Sequence, residues 1–152
     1  EPLGMTSPSQ WLVDGTGREA AYFGLNMTAR DFARLGELYR NGGMWRGRQL
    51  VPADYVAAST QVTAPHTRPG RVWVSDHEWE VGYGYQWWLP EVDPGEFSAI
   101  GIYNQFVYVH PQARTVIVKL SANRAYGTSS EERTNREMEN LAVLRSIARH
   151  IA

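Results

Sequence analysis

Hydrophobic residues recur along this chain with two different periods, helical at both ends and strand-like between about residues 83 and 120. Thr28 is a good N-cap, and Asp31 three residues later can return a capping-box-like contact and suits the positive end of the helix dipole. From there Phe32, Leu35, Leu38 and Tyr39 form an apolar stripe with the small Ala33 and Gly36 between them, and Asn41-Gly42-Gly43 ends the helix. Gly47-Arg48-Gln49 predicts a turn. Pro52 suits the first turn of a second short helix through Tyr55 and Val56 to about Thr60. Residues 1–27 predict loop and short elements, with turn chemistry at Asp14-Gly15-Thr16-Gly17. Residues 61–80, with prolines, a glycine and mixed charge, predict a long exposed loop.

The middle of the chain changes character. Tyr83, Tyr85, Trp87 and Leu89 alternate with Gly84, Gln86 and Trp88, which predicts one strand. Asp93-Pro94-Gly95 predicts a turn, and residues 97–102, 105–110 and 115–120 predict three more strands. The last of these is β-branched (Val116, Ile117, Val118), a composition that fits a buried sheet. The connections are short, so neighbouring strands are expected to be antiparallel. After a polar loop at 123–135, Met138, Leu141, Leu144, Ile147, Ala148 and Ile151 define a stripe on a final helix from about residue 135. The prediction is a single α+β domain over residues 1–152, an antiparallel sheet with helices packed on it.

Composition narrows the chemistry. The chain has 152 residues, 43% of them hydrophobic, enough to bury a sizeable core. Its 15 basic and 16 acidic side chains leave a net charge of -1, which gives no electrostatic reason to expect nucleic acid or an anionic membrane as partner. Cysteine is absent, so disulfides, thiolate catalysis and cysteine-ligated zinc are excluded. No run of about 18 apolar residues predicts a membrane span. No signal peptide is visible, but the chain begins at Glu1 without a Met, as a cleaved product would, so bacterial cytoplasm and export both stay open. His66, His77, His110 and His150 are scattered and read as structural or solvated; Asp76, His77 and Glu78 spell either a surface cation site or a solvated loop. No metal or cofactor is expected.

The nucleophile motifs are missing. Gly-x-Ser-x-Gly does not occur. Lysine occurs once, at Lys119, and Ser-x-x-Lys would need serine at the position of Val116. Arginine cannot replace lysine as a proton acceptor. Tyr39-Arg40-Asn41 spells Tyr-x-Asn, but it ends a helix whose Tyr39 faces the core stripe. The paired carboxylates Asp76/Glu78/Glu80 and Glu131/Glu132 fall on predicted loops, not across a cleft. Tyr83, Tyr85, Trp87 and Trp88, flanked by Trp73 and Trp79, form either a core strand or a stacking surface for a sugar or apolar ligand.

Several segments in succession carry a resemblance. Pro2-Leu3-Gly4-Met5, then Gly24-Leu25-Asn26-Met27-Thr28-Ala29-Arg30-Asp31-Phe32-Ala33-Arg34-Leu35-Gly36, then Asn41-Gly42-Gly43 with Trp45-Arg46-Gly47 and Leu50-Val51-Pro52 come first. Tyr83-Gly84-Tyr85-Gln86-Trp87-Trp88 and Gly101-Ile102-Tyr103-Asn104-Gln105-Phe106-Val107-Tyr108-Val109-His110-Pro111 follow. In this order they resemble the later part of the β-lactamase-related serine hydrolases of the class C β-lactamase and penicillin-binding-protein superfamily. The branch resembled holds 6-aminohexanoate-dimer hydrolase and related esterases. The resemblance implies a partial β-lactamase/transpeptidase-like fold lacking its N-terminal half. In that family the serine of Ser-x-x-Lys, its lysine and a proton-relaying tyrosine precede the Pro-Leu-Gly-Met segment, so they would lie upstream of Glu1. The third family motif, Lys-Thr-Gly or a variant, falls by order on Ala99-Ile100-Gly101, without its charged and hydroxyl side chains. The next residue, Ile102, would offer its backbone N–H to the oxyanion hole. Ala99, Ile100, Gly101, Tyr103 and, by a looser correspondence, Tyr22 and Phe23 would border the substrate.

Two functions follow. In one, the chain is the C-terminal half of a serine hydrolase that cleaves a small ester or amide through an acyl-enzyme, inactive alone. In the other, it is a non-catalytic domain that binds a ligand or partner through the aromatic strand and an uncovered sheet. Its expected partner is the missing N-terminal half or a second copy of itself.

Overall fold

The computed structural model describes residues 2–70, 72–74, 77–90 and 95–152, with 72–74 and 77–79 described as backbone only. Elements follow in the order β1 (Gln10–Trp11), β2 (Leu25–Asn26), α1 (Ala29–Arg40), β3 (Met44–Trp45), β4 (Arg48–Gln49) and α2 (Ala53–Ser59). Then come β5 (Val72–Val74), β6 (His77–Trp79), β7 (Gly82–Tyr83), β8 (Trp88–Leu89), β9 (Phe97–Gly101), β10 (Gln105–His110), β11 (Thr115–Lys119), α3 (Glu132–Asn135) and α4 (Glu137–Ile151). The architecture is α+β. Strands β11-β10-β9-β8-β7 form one antiparallel sheet in that order.

One core cluster gathers Trp87, Leu89, Phe97, Val107 and Val109 with Phe32 and Tyr39 of α1. The other gathers Val81, Phe106 and Tyr108 with Leu141, Leu144 and Ala148 of α4. Residues alternate between the clusters along β10, as a pleated strand between two layers requires. Tyr39 packs at 4.8 Å on Trp87, and Trp87 meets Phe97 edge-on at 5.0 Å. Helix α1 sits close on the sheet because it has a glycine there: a Cβ at Gly36 would lie 2.6 Å from Val116 Cγ1.

Helix α1 begins and ends as its sequence predicts. The Thr28 hydroxyl accepts the Asp31 N–H at 3.2 Å. The Asp31 carboxylate is buried and accepts the Thr28 hydroxyl at 2.9 Å, the Thr6 N–H at 3.2 Å and Arg34 Nη1 at 2.7 Å. Asp31 therefore ties the N-terminal segment to the helix as well as capping it. At the other end the Gly43 N–H returns to the Leu38 carbonyl at 2.9 Å.

Four expectations need correction. The predicted strand at 83–89 is a hairpin: Gln86 takes a left-handed φ of 65°, the Gly84 N–H bonds the Trp87 carbonyl at 2.8 Å, and β7 and β8 pair across the turn. The predicted loop at 61–80 contains a 3-10 turn (Pro65–Thr67) and the β5–β6 hairpin. Pro52 is the N-cap of α2 and not its first residue. The predicted polar loop at 123–135 ends in a short helix, α3, which the left-handed φ of 55° at Arg136 separates from α4, and the stripe of α4 divides: Leu141, Leu144 and Ala148 are buried while Ile147 and Ile151 are exposed. The predicted turn Asp93-Pro94-Gly95 and the Asp76-His77-Glu78 group lie largely outside the described residues.

A buried ion pair fixes α4 to the sheet. Glu96, at the entry to β9, is 1% exposed. It accepts Arg145 Nε at 2.7 Å and, on its other oxygen, the hydroxyl of the fully buried Tyr108. Burial, and then that bond to the carboxylate, push the Tyr108 hydroxyl pKa far above its usual value, so it stays a donor.

Candidate functional site

Strand β9 pairs with β10 along its whole length, yet with β8 only at Ser98 opposite Trp88. Beyond Ser98, the β8-side edge of Ala99, Ile100 and Gly101 has no strand partner among the described residues. The side chains of Ala99 and Ile100 are partly buried against opposite core clusters. What the strand can offer a ligand along this edge is backbone N–H and C=O. Gly101 is held open by its small size, since a Cβ there would press on Gln105 Cβ at 3.3 Å.

Ile102 lies one residue past the strand predicted to include it, in the turn 102–104 that joins β9 to β10. Its side chain is exposed, and among the described residues no acceptor takes its N–H. Tyr103 and Asn104 follow with φ of 61° and 65°. Tyr103 stacks edge-on with Tyr126 at 5.9 Å, and the Tyr126 hydroxyl donates to Glu137 Oε1 at 2.6 Å. Burial raises the Glu137 carboxyl pKa; burial and then the bond to Glu137 raise that of the Tyr126 hydroxyl, which stays protonated and donating.

Ala99, Ile100, Gly101, Ile102 and Tyr103 are thus brought together at one end of β9. Tyr22 and Phe23 pack on each other at 4.8 Å beside the β1–β2 pair, both exposed, with no hydrogen bond or ring contact to residues 99–103 among the described residues. Lys119 donates to the Asn104 carbonyl at 3.4 Å and lies above the Phe106 ring, on the β11 side of the same turn. Burial first, and then the nearby Arg136, lower its pKa. It borders a polar cleft of ≈ 370 Å³ shared with Asn123, Arg136 and Asn140. Among the described residues no group of three or more His, Asp or Glu is placed to hold a metal ion.

The residues around the turn that sequence reading passed over are Asn104, Gln105, Asn123, Tyr126 and Glu137. The one local signal for any of them is that asparagine follows Tyr103 in a tight reversal, where its side chain tolerates the left-handed conformation. The aromatic segment is mostly interior: Trp87 is buried and Trp88 half-buried, with Tyr85 exposed at the hairpin tip.

A β-lactamase family profile matches residues 1–142. The 6-aminohexanoate-dimer hydrolase of Paenarthrobacter ureafaciens is 34% identical over 110 residues, which is 72% of this chain and 28% of that protein. A solved structure described as a putative 6-aminohexanoate-dimer hydrolase from Bacillus anthracis superposes with a TM-score of 0.73 at 31% identity, covering 98% of this chain and 35% of that one. A putative β-lactamase from Bacteroides dorei shares the fold at TM-score 0.51 and 21% identity, over 80% of this chain and 41% of its own. The chain therefore spans about a third of the length of the relatives it matches.

Proposed function

Because the chain belongs to the β-lactamase family of serine hydrolases, we propose that it is the C-terminal portion of a hydrolase that cleaves a small ester or short amide through an acyl-enzyme. The observation that carries this reading is the Ile102 N–H, without an acceptor among the described residues, at the end of the unpaired edge of β9. A serine outside residues 1–152 attacks the substrate carbonyl; its proton passes to a neighbouring base and then to the leaving alcohol or amine. Water later breaks the acyl bond and restores the serine. The Ile102 N–H stabilises the oxyanion in both tetrahedral states, a role typically worth about 2.7–4 kcal/mol for one donor. The Lys-Thr-Gly side chains are replaced by Ala99-Ile100-Gly101, which argues against a β-lactam. Two relatives above 30% identity are named for hydrolysis of the 6-aminohexanoate dimer, an amide, which argues for a short amide or ester. Replacing the upstream serine by alanine in the whole polypeptide is expected to abolish esterase activity; unchanged activity would sink the proposal.

The partner we propose is the remainder of that fold. Strand β11 has the Val116-Ile117-Val118 run of a buried strand, yet ends the sheet among the described residues, and Val143, Ile147 and Ile151 form an exposed apolar row on α4. A strand laid on β11 with apolar cover for α4 would bury both. Self-association is the alternative, and sedimentation of the chain with and without the remaining portion distinguishes them. A clean monomer that binds no hydrophobic dye and recruits no complement would refute both.

A further inference from the structure

Tyr103 and Asn104 are two successive residues with side chains in the left-handed region, immediately after the Ile102 amide. Backbone of this kind persists where the surroundings over-determine it, and it clusters at working sites. Here the surroundings are a strap, residues 121–135, bound to the turn almost entirely through side-chain amides. Asn104, only 2% exposed, donates from Nδ2 to the Asn135 carbonyl at 2.6 Å. Its Oδ1 accepts Asn123 Nδ2 at 2.8 Å, and the same nitrogen donates to the Thr134 carbonyl at 2.8 Å. Asn123 Oδ1 accepts the Ala125 N–H at 3.1 Å, and the Asn123 N–H points to the Tyr103 carbonyl at 3.4 Å. Gln105 continues the ladder past the end of β11. Its Oε1 accepts the Ser121 N–H at 3.1 Å, and its Nε2 donates to the Ser121 carbonyl.

A short reversal between antiparallel strands does not need such a clamp when its residues suit it, as Asn-Gly does. This turn instead carries a tyrosine at a left-handed position and a buried asparagine whose oxygen and nitrogen are both engaged. Neither end of the Asn104 side chain is left to touch a substrate, so any effect on chemistry passes through the backbone it holds. An oxyanion donor must stand 2.7–3.1 Å from the developing charge, and a displacement near 1 Å can cost about 100-fold in rate. Fixing the turn on its far side fixes the direction of the N–H at its near side.

We propose that Asn104 and Asn123 are positioning residues that hold the turn 102–104 so that the Ile102 N–H faces the carbonyl under attack. The proposal rests on the reading of Ile102 as an oxyanion donor, and two readouts keep the two claims apart. The first is the NMR order parameter of the Ile102 N–H, from 15N relaxation in this chain. The second is the steady-state kinetics of an activated ester in the whole polypeptide. Asn104→Gly keeps the left-handed backbone and deletes one end of the clamp, and Asn123→Ala deletes the other.

Each variant is expected to lower the order parameter of the Ile102 N–H while the Leu141 and Leu144 amides of α4 keep their exchange protection. Each is expected to lower kcat about 10- to 100-fold with KM nearly unchanged. The double variant should fall little further than the worse single one, because both remove one connected unit. If Asn123→Ala loses the α4 protection, Asn123→Asp carries the same expectation, since it keeps the Ala125 contact and sets a carboxylate oxygen against the Asn104 and Thr134 oxygens in place of the donation. An unchanged order parameter at Ile102 in folded variants overturns the clamp and leaves the Ile102 reading standing. A lower order parameter with unchanged kcat overturns the positioning role and the Ile102 reading together. A rise in KM with kcat unchanged overturns the positioning role in favour of substrate binding.

Discussion

Glu96 offers the sharpest test of how this fold is held together. Its side chain is fully buried, against 22% exposure for that of Arg145, and the two form a charge-assisted pair with Arg145 Nε at 2.7 Å. The other carboxylate oxygen takes the Tyr108 hydroxyl. Glu96→Gln keeps the shape and removes the charge. Removing one partner of a buried pair costs about 3–5 kcal/mol, and the partial exposure of Arg145 places the expectation at the lower end, about 3 kcal/mol. For a chain of this length that corresponds to a melting temperature lower by about 6–12 °C. Urea unfolding followed by circular dichroism should show the midpoint falling with the m-value unchanged. Tyr108→Phe should cost about 1–3 kcal/mol, and the double variant less than the sum because the two share one contact. A loss below about 1 kcal/mol for Glu96→Gln, the scale of an exposed pair, would refute the claim that this contact anchors α4 to the sheet.

Gly36→Ala should destabilise by about 1–3 kcal/mol despite alanine's helix preference, because the new Cβ would stand 2.6 Å from Val116 Cγ1 and 3.1 Å from Val107 Cγ1; a higher melting temperature would contradict the close packing of α1 on β10 and β11. Glu137→Gln should affect stability in the opposite sense to Glu96→Gln. Burial raises its carboxyl pKa in the folded chain, so the ionised form costs stability at neutral pH, and that loss is recovered as pH falls through the raised value toward the unfolded value near 4.5. Glu137→Gln, which still accepts the Tyr126 hydroxyl, should therefore melt no lower than the parent at pH 7 and should flatten this part of the pH profile; a clear loss at pH 7 would show that the charge itself is needed.

Helix α1 was legible because its start, stripe and stop are written within a few residues of one another, and Thr28, Leu38 and Gly43 each do locally what their chemistry suggests. The hairpin at β7–β8 was not, because its alternation matches a strand and its cause lies elsewhere in the chain. The Ser59 carbonyl takes the Tyr85 N–H at 3.0 Å and approaches Gly84 so closely that a Cβ there would be 2.0 Å away. The stripe on α4 was read correctly as apolar, but periodicity does not say which apolar residues become covered, and Ile147 and Ile151 stay exposed among the described residues. The candidate site divides in the same way. The order of segments led to Ile102 and its strand, whereas Asn104 and Asn123 lie 19 residues apart and meet only when the strap folds back over the turn. Tyr22 and Phe23 came from a looser correspondence, and among the described residues no hydrogen bond or ring contact joins them to residues 99–103.

The central claim is that this chain supplies an oxyanion donor and a substrate-bordering strand to a serine hydrolase whose nucleophile lies outside residues 1–152. A serine-directed fluorophosphonate, followed by mass spectrometry of the labelled peptide, tests it most directly. The account predicts no label on the isolated 152-residue chain and a single labelled serine, upstream of Glu1, in the active whole polypeptide. A label on any serine within residues 1–152 would contradict it.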